Sequence, residues 1–401
     1  MTTTSIESRR AYAEHGLGLF SLLLCNYGDF FTGYLTTLFS EVFQHAKFLI
    51  VLLPVLMNLR GCTYVAYSTR MITKLRLGVI EPRGLRQKGL TVEMKVAYVV
   101  SILSNFIAGI LAALVVDPLH LDIITAVAMI SGLIGVSIVV PLSTLGFFIV
   151  YRRDISPETL AGPLESIIGD MITVPTLLLA YILVLYLYDV HRDIVGILII
   201  SILVLTSLIT RSLVKERDKT YVVWNPEKTI IENVIAGVVA SMIELVVGLR
   251  LESKLSTLTT YKVLLFAAFP TMAVVGGLAV RYAAYLNSGL HLGSVEHSVI
   301  PRGIAARYYY RSMLLSFGIY MNVICMSIIY AYFTGEPLIL CSIPFIAGLL
   351  STVIVLYITY ILSIVLFRKG INPANVATSL IMPIADLTTI TIYMSILSIL
   401  H

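Results

Sequence analysis

Long apolar blocks follow one another along the chain, separated by short clusters of charge. Eleven of them approach or exceed the roughly 20 apolar residues that carry a helix across a bilayer. They predict spans at about 18–39, 48–72, 95–116, 122–151, 157–188, 194–213, 229–250, 261–286, 307–333, 338–367 and 372–400. Polar residues are rare inside the blocks, so each one is informative. Asp29 stands in the first, Asn58 and Arg60 in the second, Asn105 in the third and Glu244 in the seventh.

The blocks repeat. ISPETLAGPLESIIGDMIT at 155–173 overlays INPANVATSLIMPIADLTT at 371–389 without a gap, at a constant offset of 216. Both begin Ile-x-Pro, at Pro157 and Pro373, and both reach an Asp thirteen positions after the Pro, Asp170 and Asp386. Pro54 maps on Pro270 and Gly61 on Gly277 at the same offset. Pro82-Arg83-Gly84 recurs as Pro301-Arg302-Gly303, and Asn105 has a near counterpart in Asn322. The repeat unit is therefore five spans.

Basic residues set the expected topology. Arg9 and Arg10, the 73–95 loop, Arg152 and Arg153, the 211–228 linker, the 302–311 segment, Arg368 and Lys369 fall on one side, which becomes the cytoplasmic one. The turns at 117–122, 189–193 and 334–337 fall on the other. A five-span unit ends on the side opposite its start, so a sixth crossing is needed before a second copy can run in the same direction. The expectation is an all-α integral membrane protein of eleven helices: two parallel five-helix repeats joined by a linker helix and related by an axis along the membrane normal. Its parts are a cytoplasmic tail at 1–17, a first repeat at 18–188, a linker with the sixth span at 189–228 and a second repeat at 229–401. The N-terminus then lies in the cytoplasm and the C-terminus outside the cell membrane. Because one chain holds both repeats, a monomer would be complete.

Composition agrees with this plan. The chain is 58% hydrophobic and 13% charged, against about 25% charged in a soluble domain. The net charge of +5 resides in short loops and gives no reason to expect nucleic acid. Cys25, Cys62, Cys325 and Cys341 form no CxxC pair and read as small core residues. The abundant Met and Tyr residues read as lipid-facing or interfacial. No HExxH, GxSxG or His–acid constellation points to an enzyme, and no signal-peptide pattern precedes the first span.

An ionisable residue inside a span is costly and is by default a functional-site hypothesis. On a helical fifth span, Thr159, Pro163, Ser166, Asp170 and Thr173 share one face. Asn375, Ser379, Met382, Asp386 and Thr389 share it in the second copy. Two carboxylates facing each other across an axis repel unless a cation lies between them. The oxygen-rich set, without thiolate or imidazole, favours Mg²⁺, Mn²⁺ or Ca²⁺ over Zn²⁺ or Cu. Asp170 and Asp386 are thus the candidate metal residues, with Asn58, Gly61, Ser166, Thr173, Gly277, Asn375, Ser379 and Thr389 lining the path. Three alternatives remain open. Each Asp hydrogen-bonds a neighbouring helix or pairs with Arg60 or Arg281 for folding alone, the acids relay protons, or the chain is an H⁺- or Na⁺-coupled carrier of a small solute. Arg60 itself is expected to pair with Asp29, and Glu244 either with Arg281 or with a coupling ion.

Pro54-Val-Leu-Met-Asn-Leu-Arg-Gly61, followed by Ser68-Thr69-Arg70 and Gly78-Val-Ile-Glu81, resembles the second-span signature of the MgtE magnesium channels and the solute carrier family 41 transporters. The segments ending in Asp170 and Asp386 resemble their fifth-span signature. The resemblance implies transport of divalent cations, Mg²⁺ first, through a path between second and fifth spans, with the fifth-span Asp binding a partly hydrated ion. Cys62 and Tyr64 stand where the family has Asn and further polar residues, and gating by cytoplasmic sensor domains like those of the MgtE channels is not expected from these 401 residues.

Overall fold

In the computed structural model the described residues are 23–153, 157–216, 225–296, 298–369 and 373–400, with side chains described except at 157–166, 215–216, 373–379 and 400. They form helices joined by short turns, with no strand among them. The long helices are α1 (23–38), α2 (Phe48–Arg76), α3 (Lys88–Val116), α4 (Leu121–Arg152), α5 (Pro157–Val190) and α6 (Arg192–Glu216). They continue as α7 (Pro226–Ser253), α8 (Lys262–His291), α9 (Gly303–Thr334), α10 (Ser342–Arg368) and α11 (Pro373–Leu400). Ten of them, all but α1, are long and apolar enough to cross a membrane among the described residues. The positions before 23 lie outside the described set, so α1 is followed only from there onward. A spanning helix satisfies its backbone groups internally, which is why apolar blocks of this length become helices in lipid.

Local signals mark the ends. Asn225 accepts the Glu227 backbone N–H at 3.1 Å and Pro226 takes the first helical position of α7. Gly335 ends α9 with φ of 72°, a left-handed conformation that favours glycine. Inside α2 the ladder loosens into a π-helical turn at Gly61–Val65, shortly after Pro54. Such a turn is a frequent mark of functional sites, and α8 has none.

The first helix of each half packs on the second helix of the other. A Cβ placed on Gly33 of α1 would lie 2.1 Å from the Phe266 carbonyl oxygen of α8. A Cβ on Gly248 of α7 would lie 2.4 Å from the Val51 carbonyl oxygen of α2. Glycine is required at both places because backbone meets backbone. Gly33 and Gly248 are 215 apart, and so are Val51 and Phe266, as a two-fold relation between the halves demands. The short helices Ser40–His45 and Leu255–Thr260 are also 215 apart, and Gln44 Nε2 donates to its own counterpart Thr259 Oγ1, placing the axis there. Phe30 stacks on Phe266, Phe266 on Tyr330, and the Tyr330 hydroxyl donates to Thr37 Oγ1 at 3.0 Å, closing α1 against α8 and α9. Helix α6 contributes little to the interior and shows Ile197, Ile200, Val204, Leu205 and Leu208 outward.

The reading of Met and Tyr as peripheral is corrected. Tyr67, Tyr282, Tyr320, Tyr360 and Tyr393 are fully buried. Each hydroxyl finds a partner, as a buried phenol must: Thr144 Oγ1 for Tyr67, and the carbonyls of Ala305, Thr271, Ser298 and Leu264 for the others. Of the cysteines, Cys62 and Cys341 are buried, Cys25 is half-buried and Cys325 is exposed.

Candidate functional site

Between the two halves lies a cavity of about 170 Å³. Its wall takes Asn26 and Asp29 from α1, Asn58, Arg60 and Gly61 from α2, Asp170 from α5, Gly277 from α8 and Asp386 from α11. Met57, Met272, Met382, Phe269 and Ile319 supply apolar wall. A single ordered water needs on the order of 10–15 Å³ by this measure, so a cation with several waters fits.

Close helix approach brings the acids together. Gly28 lets α1 come within contact of α5, where a Cβ would lie 3.2 Å from Ile167 Cα. Thr32 Oγ1 donates to the Asp170 carbonyl at 2.7 Å and pins that contact. Asp29 then reaches hydrogen-bonding range of the Asp170 carboxyl. On the other side Glu244 of α7 reaches the same range of Asp386, and Asn58 Nδ2 donates to Glu244 Oε1 at 2.6 Å. Glu244 Oε2 is buried and receives no donor. Asp29 and Glu244 are 215 apart, the same spacing as Gly33 and Gly248. The site therefore holds two acid pairs related by the repeat, Asp29 with Asp170 and Glu244 with Asp386.

A guanidinium stands among them. Arg60 Nη1 lies 2.7 Å from Asp170 Oδ1, both side chains about nine-tenths buried. The sequence favours Asp29 as the partner of Arg60 and keeps a fifth-span Asp as the alternative; the structure gives Asp170, because α2 presents Arg60 to α5 at Gly169, where a Cβ would come within 2.9 Å of Arg60 Cδ. Arg281 is not part of the site: it lies by Tyr285, its Nη2 donating to the Tyr285 hydroxyl at 3.4 Å. Glu244 thus has Asn58 and Asp386 as neighbours and not Arg281. Among the described residues no three His, Cys, Asp or Glu come close enough to share one metal ion directly.

The other expected lining residues divide. Asn58, Gly61 and Gly277 are on the cavity wall. Thr173 donates to the Gly169 carbonyl at 2.9 Å and faces a smaller polar pocket behind Arg60, with Ser101, Asn105, Ser131 and Thr176. Thr389 is buried, donates to the Ala385 carbonyl at 2.7 Å and is not on the cavity wall. The side chains of Ser166, Asn375 and Ser379 lie outside the described residues, as do those of Thr159 and Pro163. Asn105 and Asn322 do not meet: Asn105 Nδ2 donates to the Ser101 carbonyl, while Asn322 Nδ2 donates to the Tyr27 hydroxyl. Sequence reasoning missed Asn26 altogether and did not join Glu244 to Asp386. The signal for the second was available, since 29 and 244 share the 215 spacing of the glycines 33 and 248.

A family model described as MgtE, divalent cation transporter, matches residues 53–180 and again residues 269–396. The two matched stretches are of equal length, and their offset of 216 is that of Asp170 and Asp386. No curated protein and no solved structure matches the chain.

Proposed function

Since the chain belongs to the MgtE family of divalent cation transporters, we propose that it carries Mg²⁺ through the cavity between its halves, with Asp170 and Asp386 as the central acidic residues. The observation that carries this reading is the charge inventory of the cavity. Asp29, Asp170 and the half-buried Asp386 line it together with Arg60, which pairs with Asp170, and the buried Glu244 stands beside Asp386. Acids this close together stay ionised only where positive charge compensates them, and a divalent ion supplies it. Mg²⁺ keeps several of its waters and binds through one or two carboxylates. That habit suits a site in which, among the described residues, no three acidic side chains converge on one point. Mn²⁺ and Ca²⁺ share the oxygen preference and are the competing cargoes. The apolar wall of methionines and Phe269 keeps the local dielectric low, which strengthens the attraction for a cation that enters.

The same reading takes the eleven-span plan, with α6 as the linker and the N-terminus in the cytoplasm, and a monomer as the working unit. Neither the family match nor the cavity supports the alternative of a coupled carrier for a small solute. The test is Mg²⁺ entry into liposomes holding a Mg²⁺-sensitive dye. Wild-type protein gives uptake, and the Asp170→Ala/Asp386→Ala protein gives none. Unchanged uptake in the double variant overturns the assignment of the two aspartates.

A further inference from the structure

The two acid pairs are related by the repeat, but their surroundings are not. In the first half Arg60 lies against Asp170 at 2.7 Å. The residue at its place in the second half, at the offset of 216, is Gly276. The fifth helices carry the matching exchange: Gly169 gives Arg60 room, and its counterpart is Ala385. A Cβ on Gly276 would lie 4.0 Å from Ala385 Cβ and 3.7 Å from two side-chain atoms of Met382, ordinary contacts. So position 60 pairs a large cation with a glycine opposite, and position 276 pairs a glycine with a small side chain. Among the described residues neither Asp386 nor Glu244 has an ion pair with Lys or Arg. The amide that donates to Glu244 is that of Asn58, and the counterpart of Asn58 is Val274. Glu244 Oε2 is left buried without a donor. Asn26, 1% exposed, lines the cavity with both amide atoms unpartnered.

We infer that this cavity takes a single divalent cation, held at the Asp386–Glu244 pair, because Arg60 already serves the Asp170–Asp29 pair as a tethered cation. The inference rests on the divalent-cation reading of the cavity and deepens it. Two equivalent acid pairs on one axis would otherwise offer two equal sites. With Arg60 in place the first pair carries one negative charge less than the second, and the cation is drawn off the axis toward α7 and α11. Asn26, on the first-half wall, offers an amide oxygen to the waters on the near side of that ion.

The test counts bound Mn²⁺ by electron paramagnetic resonance on the full chain in nanodiscs, alongside dye-reported Mg²⁺ uptake. Wild type binds one Mn²⁺ per chain. Asp386→Asn and Glu244→Gln each weaken that binding at least tenfold. Arg60→Gly, which gives the first half the residue of the second, binds two. Arg60→Gly combined with Asp386→Asn binds one, now at Asp170. Arg60→Gln gives the same second ion where the glycine variant does not elute as a folded species. The inference is overturned if Asp170→Asn abolishes Mn²⁺ binding while Asp386→Asn leaves it intact, or if both Arg60 variants still bind one ion. Those results leave divalent transport standing, because wild type still takes up Mg²⁺. A wild-type protein that binds no Mn²⁺ and admits no Mg²⁺ overturns the transport reading itself.

Discussion

Neutralising either fifth-helix aspartate removes one negative charge from the same cavity, yet the two substitutions have opposite structural consequences. Asp170→Asn strands Arg60, whose side chain is 10% exposed and whose Nε and Nη2 have no hydrogen-bond partner. Breaking a buried ion pair by removing one partner costs about 3–5 kcal/mol. Asp29 remains within electrostatic range of Arg60, which lowers the expected loss to about 2–3 kcal/mol. Asp386→Asn strands no cation. It removes one of two acids that face each other, so stability stays within roughly 0.5 kcal/mol of wild type or rises. The assay is thermal unfolding in detergent with EDTA, so that no bound metal masks the difference. The expected order of melting temperature is Asp386→Asn at or above wild type, with Asp170→Asn clearly below. Adding Arg60→Gln to Asp170→Asn recovers most of the loss, and the coupling energy of that cycle is at least about 1 kcal/mol. Equal destabilisation by the two Asp→Asn changes, or no coupling in the cycle, refutes the reasoning.

Three further outcomes follow from the geometry. Gly33→Ala and Gly248→Ala each force backbone apart where a Cβ would sit 2.1 Å and 2.4 Å from a carbonyl oxygen. Each lowers stability by about 1–3 kcal/mol, whereas Gly318→Ala, with nothing within 4 Å, does not; detergent melting curves decide. Asn58→Val gives the first half the residue of the second and leaves Glu244 Oε1 without its 2.6 Å donor. That loss is about 1–3 kcal/mol, read as a fall in divalent affinity by Mn²⁺ titration. Glu93→Gln leaves Arg70 and Lys74, held at 2.7 Å and 2.8 Å, without their shared carboxylate. Folded yield drops, while uptake per folded molecule is unchanged because the triad stands away from the cavity wall.

The repeat was legible because lipid imposes one period on all helices, so a polar residue inside an apolar block stands out and its recurrence can be counted. Asp170 and Asp386 were found that way, and the family match repeats at the same offset. The equivalence of Asp29 and Glu244 escaped because the residues differ and the spacing shortens to 215 between the first helices and their copies. The choice of Asp170 over Asp29 as the partner of Arg60 depends on which helix comes closest to α2. That depends on Gly169, a residue with no chemistry of its own to draw notice. The burial of five tyrosines was hidden for a related reason: most of their partners are backbone carbonyls of other segments, which a sequence does not mark.

The exchange of first helices between the halves also governs how the chain is made. Gly33 meets its resting surface at Phe266, and more than half of the chain is synthesised between the two. At about 5–20 residues per second, that surface emerges roughly 12–47 s after α1 does. Through that interval α1 can already close on α5 through Gly28 and Thr32, while its other face, with Phe30 and Gly33, waits uncovered beside the growing bundle. A ribosome stalled between the halves would release a chain whose first five helices are all present, yet whose α1 still lacks the α8 surface against which it closes.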